Sequence, residues 1–282
     1  EPSGGRARVI RMGGVHGLGS VAGLTPPSRP STLDRDETRT DAEAGLGTHF
    51  DEIAAREARV FLPVVKRLPV AIVEGRGSRV RDADGREYVD LTGGWGVTAI
   101  GHSHPALVQT IAEQAGRLMQ TTNLFYTVPQ LDLCERLLGV VPDALTRCFF
   151  VSSGAEAMDG ALKLAHRATG RTKFVSTTQS FHGRTLGALS IIGQEKHRSP
   201  YQRIVQEGCF VPFGDLAAAR RAIDENTAAF VVEPVQGEGG VHVAPDGYLH
   251  GLRELTREAG ALLVLDEIQT GIGRTGKFLA VE

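Results

Sequence analysis

The sequence has few cysteines, no long apolar run and no excess of charge of one sign. Its 282 residues include three cysteines, Cys134, Cys148 and Cys209, without a CxxC spacing. An odd number at these spacings argues against a disulfide framework and a cysteine metal site, so a reducing, cytoplasmic setting fits best. No stretch approaches the ~18 consecutive apolar residues of a membrane span, and the N-terminus lacks the apolar core of a signal peptide.

The balance of charges limits the class of partner. The 33 acidic and 31 basic residues give a formal net charge of −2. The chain therefore has no basic field that would attract nucleic acid or an anionic membrane surface. With 41% hydrophobic and 23% charged residues, it has the composition of a globular protein with a sizeable core. These properties favour small molecules, or further copies of the chain, as partners.

The chain divides by composition into three segments. Residues 1–48 are rich in Gly, Pro, Ser, Thr and Arg and follow neither a helical nor a strand period, which predicts a flexible extension. Residues 49–105 form an N-terminal segment in which apolar residues alternate on both sides of Asp84-Gly85. This pattern predicts a β-hairpin over 78–91. Residues 106–282 are expected to form a large, incomplete domain.

From Arg147 onward, short apolar runs alternate with amphipathic runs, which is typical of an α/β domain with a mainly parallel sheet covered by helices. Hydrophobic periodicity predicts strands at 148–152, 173–176, 228–233 and 261–266 and helices at 155–168 and 248–259, the first of them ended by Gly170. A right-handed crossover makes the last two strands parallel, so their carboxyl ends meet at one edge of the sheet.

Ligands of open α/β sheets collect outside the carboxyl ends of strands, which gives weight to polar residues there. The first predicted strand runs through Ser152, Ser153 and Gly154 directly into a helix. Unpaired N–H groups and the helix dipole would form an anion site at that start, and Gly154 would let a phosphate come close. Alternatively, Ser153 caps the helix and Glu156 completes a capping box. Both interpretations need the same geometry and both stay open.

Two further predicted strands end in carboxylates, Glu233 in VVEPVQGEGG and Asp266 in ALLVLDEIQTG. A buried, ionised carboxylate is costly unless a cation, a metal ion or hydrogen-bond donors compensate it. Mg²⁺ is one candidate, because residues 271–277 have the GxxxxGK spacing of a nucleotide-binding loop. However, Phe278 stands where a magnesium-binding hydroxyl should follow, and the loop comes after the aspartate strand instead of before it. The other candidate is a protonated pyridine nitrogen.

Four motifs in this order closely resemble the class III aminotransferases, which are pyridoxal-phosphate-dependent transferases of fold type I. They are SSGAEAMDGALKLA, SFHGRTLGALS, EPVQGEGG and LDEIQTGIGRTGKF, preceded by GHSHPALV and TTNLFYTVPQ. The likeness covers residues 69–282 and is strongest to the acetylornithine and related ω-amino-acid branch. It implies a mainly parallel central sheet with helices on both faces, pyridoxal 5′-phosphate as cofactor, and a homodimer.

The resemblance implies positions for the phosphate and the ring of the cofactor. The phosphate would lie on the N–H groups of Gly154 and Ala155, with Ser153 beside them. The ring would lie between Phe181, stacked on one face, and Ile268 on the other. Taken alone, Phe181 and Ile268 would be interpreted as ordinary core residues.

The resemblance also assigns the polar neighbours of the ring. Asp266 would pair with the pyridinium nitrogen and keep it protonated, so that the ring can accept electrons from the substrate. Gln269 would hydrogen-bond the phenolic oxygen of the ring. His182 adjoins the ring position, and Glu233 is assigned to the same cofactor site.

Two residues are candidates for reading the substrate. Arg184 in FHGRT can bind a carboxylate bidentately, although it could also be a surface arginine. Glu238 resembles the gate glutamate of the family, which pairs with an arginine when an ω-amine binds and frees it for 2-oxoglutarate. His102 and His104 in GHSHP are interpreted as structural, because no third ligand is identifiable, and no metal site is predicted.

The resemblance places the lysine that binds the cofactor roughly a dozen residues beyond Glu282. The gate arginine and the small C-terminal domain are expected there too, and Lys277 in the GRTGKF loop is not expected to replace the lysine. The sequence thus predicts an aminotransferase that moves an amino group from N-acetylornithine, ornithine or 4-aminobutyrate to 2-oxoglutarate, with this stretch inactive by itself. The alternatives are an aminomutase or decarboxylase of the same fold, and a non-catalytic truncated homologue.

Overall fold

The computed structural model describes residues 8–9 and 50–282. The described residues form two compact units, which divide between Thr121 and Thr122. The expected extension, 1–48, lies outside the described residues except for Arg8–Val9, and the domain boundary expected after residue 105 stays a prediction.

The first unit contains a four-stranded sheet. Its elements are β1 (Arg8–Val9), α1 (Phe50–Val60), β2 (Ile72–Arg76), β3 (Arg79–Asp82), β4 (Glu87–Val89) and α2 (Pro105–Ala115). The strand order is β1-β4-β3-β2, with β1 parallel to β4 and the other neighbours antiparallel. The predicted hairpin is confirmed, since β3 pairs with β4 around the Asp84-Gly85 turn. Gly85 has a φ of +81°, a conformation that glycine adopts without strain.

His102 of the first unit binds a carboxylate of the same unit. Its Nε2 lies 2.8 Å from Oδ2 of Asp90. This hydrogen bond, together with donation from Thr92 and Gly93, lowers the pKa of Asp90 to about 2. Among the described residues, no group of three or more His, Cys, Asp and Glu side chains is arranged to hold a metal ion. The structural role of His102 stays a prediction, and the hydrogen bond to Asp90 is consistent with it.

The second unit is an α/β layer structure. Its helices are α3 (Val128–Leu138), α4 (Gly154–Thr169), α5 (Leu186–Ser190), α6 (Glu195–Arg198), α7 (Leu216–Ala222) and α8 (Tyr248–Ala259), with a 3₁₀ turn at Ser199–Tyr201. Its strands are β5 (Lys173–Thr177), β6 (Cys209–Val211), β7 (Thr227–Val232), β8 (Val235–Gln236), β9 (His242–Val243) and β10 (Leu262–Leu265). The main sheet has the order β10-β7-β5-β6, with every neighbouring pair parallel.

The central strand β7, TAAFVV, is buried along its whole length and packs against helices on both faces. Phe230 and Val232 face a core built with α7 and α8, whereas Val231 faces a core built with α4 and α5. Burial of a side chain such as Phe230 contributes roughly 2–3 kcal/mol. A strand covered on both faces needs a continuous apolar run, which is why β7 does not alternate.

The predicted helices and the last three predicted strands are confirmed, with ends that differ by at most one residue. Gly170 ends α4 with a φ of +71° and donates its N–H to the carbonyl of His166. The predicted strand 148–152 is wrong. This run pairs with none of the described strands, and Phe149 is 79% exposed. An apolar run becomes a strand only where another strand can pair with it, and a local pattern does not contain that information.

The parallel arrangement positions the ends of three strands. Strands β5, β7 and β10 point the same way, so the residues that follow them meet at one edge of the sheet. No helix within the described part of the chain is long and apolar enough to cross a membrane.

Candidate active site

Two buried carboxylates lie at this edge of the sheet. Glu233 follows β7, Asp266 follows β10, and each residue is 6% exposed. The N–H of Asp266 donates to the carbonyl of Val232 at 2.8 Å, so strand pairing continues up to the carboxylate itself. The position of Asp266 is therefore fixed by the sheet and not by a free loop.

Asp266 is hydrogen-bonded on both of its oxygens. Oδ2 lies 2.7 Å from Nδ1 of His182, and Oδ1 accepts the N–H of Ile268 at 3.1 Å. His182 is 2% exposed, and its Nε2 lies 3.2 Å from Oγ of Ser176. Ser176 in turn lies 3.2 Å from Oγ of Ser180. A chain of polar side chains thus fixes the imidazole, and the imidazole fixes the carboxylate.

Glu233 makes a different set of contacts. Its Oε2 accepts the N–H of Phe181 at 3.0 Å. Burial raises the pKa of Glu233 to about 7 and the charge of Asp266 adds to the rise, whereas His182 and the N–H groups of Phe181 and Gly237 oppose it. Glu233 therefore connects the loop after β5 to the end of β7, and it titrates near neutral pH.

The start of α4 carries the capping arrangement that the sequence allowed. Oγ of Ser153 accepts the N–H of Glu156 at 3.2 Å, and Oε2 of Glu156 accepts the N–H of Ser152 at 2.7 Å. Within residues 50–282, the hydrogen bonds of this helix start leave the N–H groups of Gly154 and Ala155 without an acceptor. Capping and anion binding are therefore compatible here, because they use different N–H groups.

The loop after β5 and the segment after β10 both approach this helix start. A Cβ on Gly183, which has a φ of +118°, would lie 2.5 Å from Cβ of Ala155. A Cβ on Gly154 would lie 3.0 Å from Cδ1 of Ile268. Both glycines permit close approaches that a larger residue would block. The structure thus brings together the start of α4, the loop carrying Phe181 and His182, and the segment from Asp266 to Gln269.

Two glutamines organise the turn between β8 and β9. The buried Gln236 donates from Nε2 to Oγ1 of Thr177 and to the carbonyl of Thr178, both at 2.9 Å. Gln269 lies against Gly237 so closely that a Cβ there would overlap its amide. The hydrogen bonds of Gln236 therefore attach this turn to the end of β5, and the turn faces the segment after β10.

The candidate substrate residues are exposed. The guanidinium carbon of Arg184 lies 5.9 Å from the centroid of the Phe181 ring, within the range of a cation–π contact. His197 meets the same ring edge to face, with 6.0 Å between the ring centroids. Burial lowers the pKa of His197, and the charges of Arg184 and Lys196 lower it further. Glu238 is exposed on the β8–β9 turn.

The sequence interpretation missed several polar residues that support this edge. Ser176, Ser180 and Gln236 are buried and hydrogen-bonded, and the polar tail of the run KFVSTTQS was the signal that could have revealed the two serines. Glu267 accepts the N–H groups of Ala280 and Val281, both at 3.0 Å, and thereby holds the last described residues. Adjacent acidic residues in LDE thus have separate structural roles.

A family model described as aminotransferase class-III matches residues 62–282. The chain belongs to the class III aminotransferases. The acetylornithine aminotransferase of Methanopyrus kandleri is 48% identical over 216 residues, which are 77% of this chain and 56% of that protein. The acetylornithine aminotransferase of Mycolicibacterium smegmatis is 48% identical over 212 residues, 75% of this chain and 54% of that protein. The chain spans just over half the length of these curated relatives.

Solved structures agree with this family membership. The ornithine aminotransferase of Toxoplasma gondii matches with a TM-score of 0.78 and 32% identity, covering 86% of this chain and 60% of that chain. Another structure of that enzyme, crystallised in the presence of oxidised glutathione, has partial occupancy of PLP at its active site. The family resemblance, the fold type I architecture and pyridoxal 5′-phosphate as cofactor are thus confirmed. Enzymes of this family are aminotransferases, which act on an amino donor and a keto acid.

Proposed function

We propose that the protein carrying this chain moves an amino group from an ω-amino acid of the acetylornithine type to 2-oxoglutarate. The observation that carries the proposal is the buried Asp266, held by His182 at the same edge of the sheet as the open N–H groups of α4. The acetylornithine aminotransferases of Methanopyrus kandleri and Mycolicibacterium smegmatis support the class of donor.

The described residues fit pyridoxal 5′-phosphate by the chemistry of their donors and acceptors. The N–H groups of Gly154 and Ala155, next to the Ser153 cap, would hold the phosphate at a helix start. Each carboxylate oxygen of Asp266 accepts one hydrogen bond and retains capacity for another, so the carboxylate can also accept a protonated ring nitrogen. When bound, the cofactor supplies an electron sink for the bond broken at the substrate carbon that bears the transferred amine.

The side chains around this position would orient the ring. Phe181 and Ile268 would pack on its two faces, and Gln269 would donate to its phenolic oxygen. Asp266 would hold the proton on the ring nitrogen, and His182 would act through Asp266 by fixing its orientation. Lys277 is exposed in the turn after the Asp266 segment, and the proposal gives it no role in binding the cofactor.

Two exposed residues would select substrates. Arg184 lies beside the Phe181 ring and would bind the carboxylate of the donor bidentately. Glu238 would act as the gate that separates ω-amines from 2-oxoglutarate. We further propose that the protein is a cytoplasmic homodimer. Its partners would be these small molecules, because the net charge of −2 offers no basic field for nucleic acid or membranes.

The proposal is tested by incubating the complete protein with pyridoxal 5′-phosphate, N-acetylornithine and 2-oxoglutarate, and measuring glutamate by mass spectrometry. We expect glutamate and the aldehyde of the donor in equal amounts. A rearranged amine without glutamate would identify an aminomutase, and release of carbon dioxide would identify a decarboxylase. Neither product, in protein that binds the cofactor, would contradict the proposed reaction.

A further inference from the structure

Glu233 is a buried acidic group of the assigned cofactor site, and the roles proposed above do not yet include it. The titratable groups that face it are the His182 ring, from the loop after β5, and the Asp266 carboxylate after β10. The N–H groups of Phe181 and Gly237 also donate to its carboxylate. Two carboxylates and one imidazole thus share a region from which water is nearly excluded.

The two carboxylates are compensated unequally. Asp266 has a direct contact of 2.7 Å with His182 in addition to the N–H of Ile268. Glu233 has N–H donors as its hydrogen-bond partners, of which Phe181 lies at 3.0 Å. Because a buried negative charge beside another is unfavourable, Glu233 is the group on which a proton resides more easily. Burial raises its pKa to about 7, so Glu233 can gain or lose its proton near neutral pH.

A cation at Asp266 would change this balance. Positive charge at this edge of the sheet favours ionised carboxylates, and the effect must be reciprocal, since ionised Glu233 would then favour the cation equally. The ionised carboxylate would also accept the N–H of Phe181 in a stronger, charge-assisted hydrogen bond.

We propose that Glu233 is a positioning residue whose carboxyl group holds the Phe181 backbone. This carboxyl group gives up its proton when a pyridinium-type ring binds at Asp266. The O–H bond of the Glu233 carboxyl group breaks, and the proton passes to the buffer. This inference rests on the proposed cofactor site. It predicts tighter cofactor binding as the pH rises through the pKa of Glu233.

The test uses the complete protein without cofactor and pyridoxine 5′-phosphate as the probe, because this alcohol cannot form a covalent bond with a lysine. Calorimetric titrations at pH 7 in two buffers of different ionisation enthalpy give the number of protons released on binding. Glu233→Gln keeps the acceptor for the Phe181 N–H and removes the titration. Glu254→Gln is the matched control, since Glu254 is an exposed glutamate on α8.

We expect wild type and Glu254→Gln to release more protons on binding than Glu233→Gln at pH 7. Between pH 6 and 8, the ratio of wild-type to Glu233→Gln affinity should rise by up to about tenfold. Equal proton release by wild type and Glu233→Gln would overturn the inference and leave the proposed aminotransferase reaction intact. Failure of wild type to bind the probe would overturn both.

A second measurement covers the case in which Glu233→Gln does not fold. Infrared difference spectra of wild type at pH 6, with and without the probe, report the carbonyl stretch of a protonated, buried carboxyl group. Loss of that band on binding supports the inference. An unchanged carboxyl region with the probe bound contradicts it.

Discussion

Two aspartate–histidine pairs of nearly equal length occur in different units of the chain. Asp90 and His102 are 2.8 Å apart in the first unit, and Asp266 and His182 are 2.7 Å apart in the second. The side chains of the first pair are 12% and 28% exposed, whereas those of the second are 4% and 0% exposed. The same two residue types therefore stand in very different environments.

The surroundings of the two aspartates differ as well. Asp90 also accepts the N–H and hydroxyl of Thr92 and the N–H of Gly93, which saturates one of its oxygens inside a turn. Asp266 instead lies beside a second carboxylate, Glu233, at the edge where ligands of parallel sheets bind. A satisfied, partly exposed pair stabilises a turn, whereas a buried pair with spare acceptor capacity is equipped to hold a cation.

The largest contrast should come from removing each negative charge. Asp266→Asn should lower kcat for N-acetylornithine by roughly 10³-fold or more, because the ring nitrogen loses its partner. Asp90→Asn should leave kcat within about threefold of wild type if its role is confined to the turn. Steady-state kinetics of both variants in the complete protein measure kcat. Similar losses of kcat in the two variants would contradict the distinction between the two aspartate–histidine pairs.

Replacing Asp90 should affect the stability of the protein more than it affects kcat. Asp90→Asn should lower the free energy of unfolding by about 1.5–3 kcal/mol, since hydrogen bonds to a charged group are lost. The folded-state pKa of Asp90 is lowered from 3.8 to about 2, so its contribution is present above pH 3.8 and disappears as the pH falls through 2. Urea unfolding of wild type and variant at several pH values measures it. A difference that grows toward low pH would be the wrong sign.

Substitutions of the histidine in each pair extend the comparison. His182→Leu should reduce kcat by roughly 10–100-fold by misplacing Asp266, with a smaller change in KM. His182→Asn, whose amide can replace Nδ1 as donor, should restore part of the loss. His102→Leu is the matched control and should affect unfolding but not kcat. A merely structural role for His182 would instead give equal damage from Leu and Asn.

The smallest effect expected concerns the exposed Arg184. Arg184→Lys should raise KM for N-acetylornithine by about tenfold and change KM for putrescine much less, because an ammonium group lacks the bidentate fork. Kinetics with both donors measure the ratio. An equal change for the two donors would assign Arg184 to support of the Phe181 ring, which it contacts, and not to the substrate.

Local patterns predicted much of this fold and less of its site. The hairpin, α4, α8 and the ends of β7 and β10 follow from periodicity and from glycines at turns, which act over a few residues. The predicted strand at 148–152 was wrong, because strand pairing depends on residues that are far apart in the sequence. The motif resemblance located Asp266 and His182, yet their contact joins residues 84 positions apart. The raised pKa of Glu233 depends on its burial and on the nearby Asp266, which no local pattern encodes.

The central claim is that Asp266 holds a proton on the ring nitrogen of the cofactor. Nuclear magnetic resonance of ring-¹⁵N-labelled pyridoxal 5′-phosphate bound to the complete protein reports that proton directly. We predict the chemical shift of a protonated nitrogen in wild type and in Asp90→Asn, and that of an unprotonated nitrogen in Asp266→Asn. An unprotonated nitrogen in wild type, or an unchanged shift in Asp266→Asn, would contradict the account.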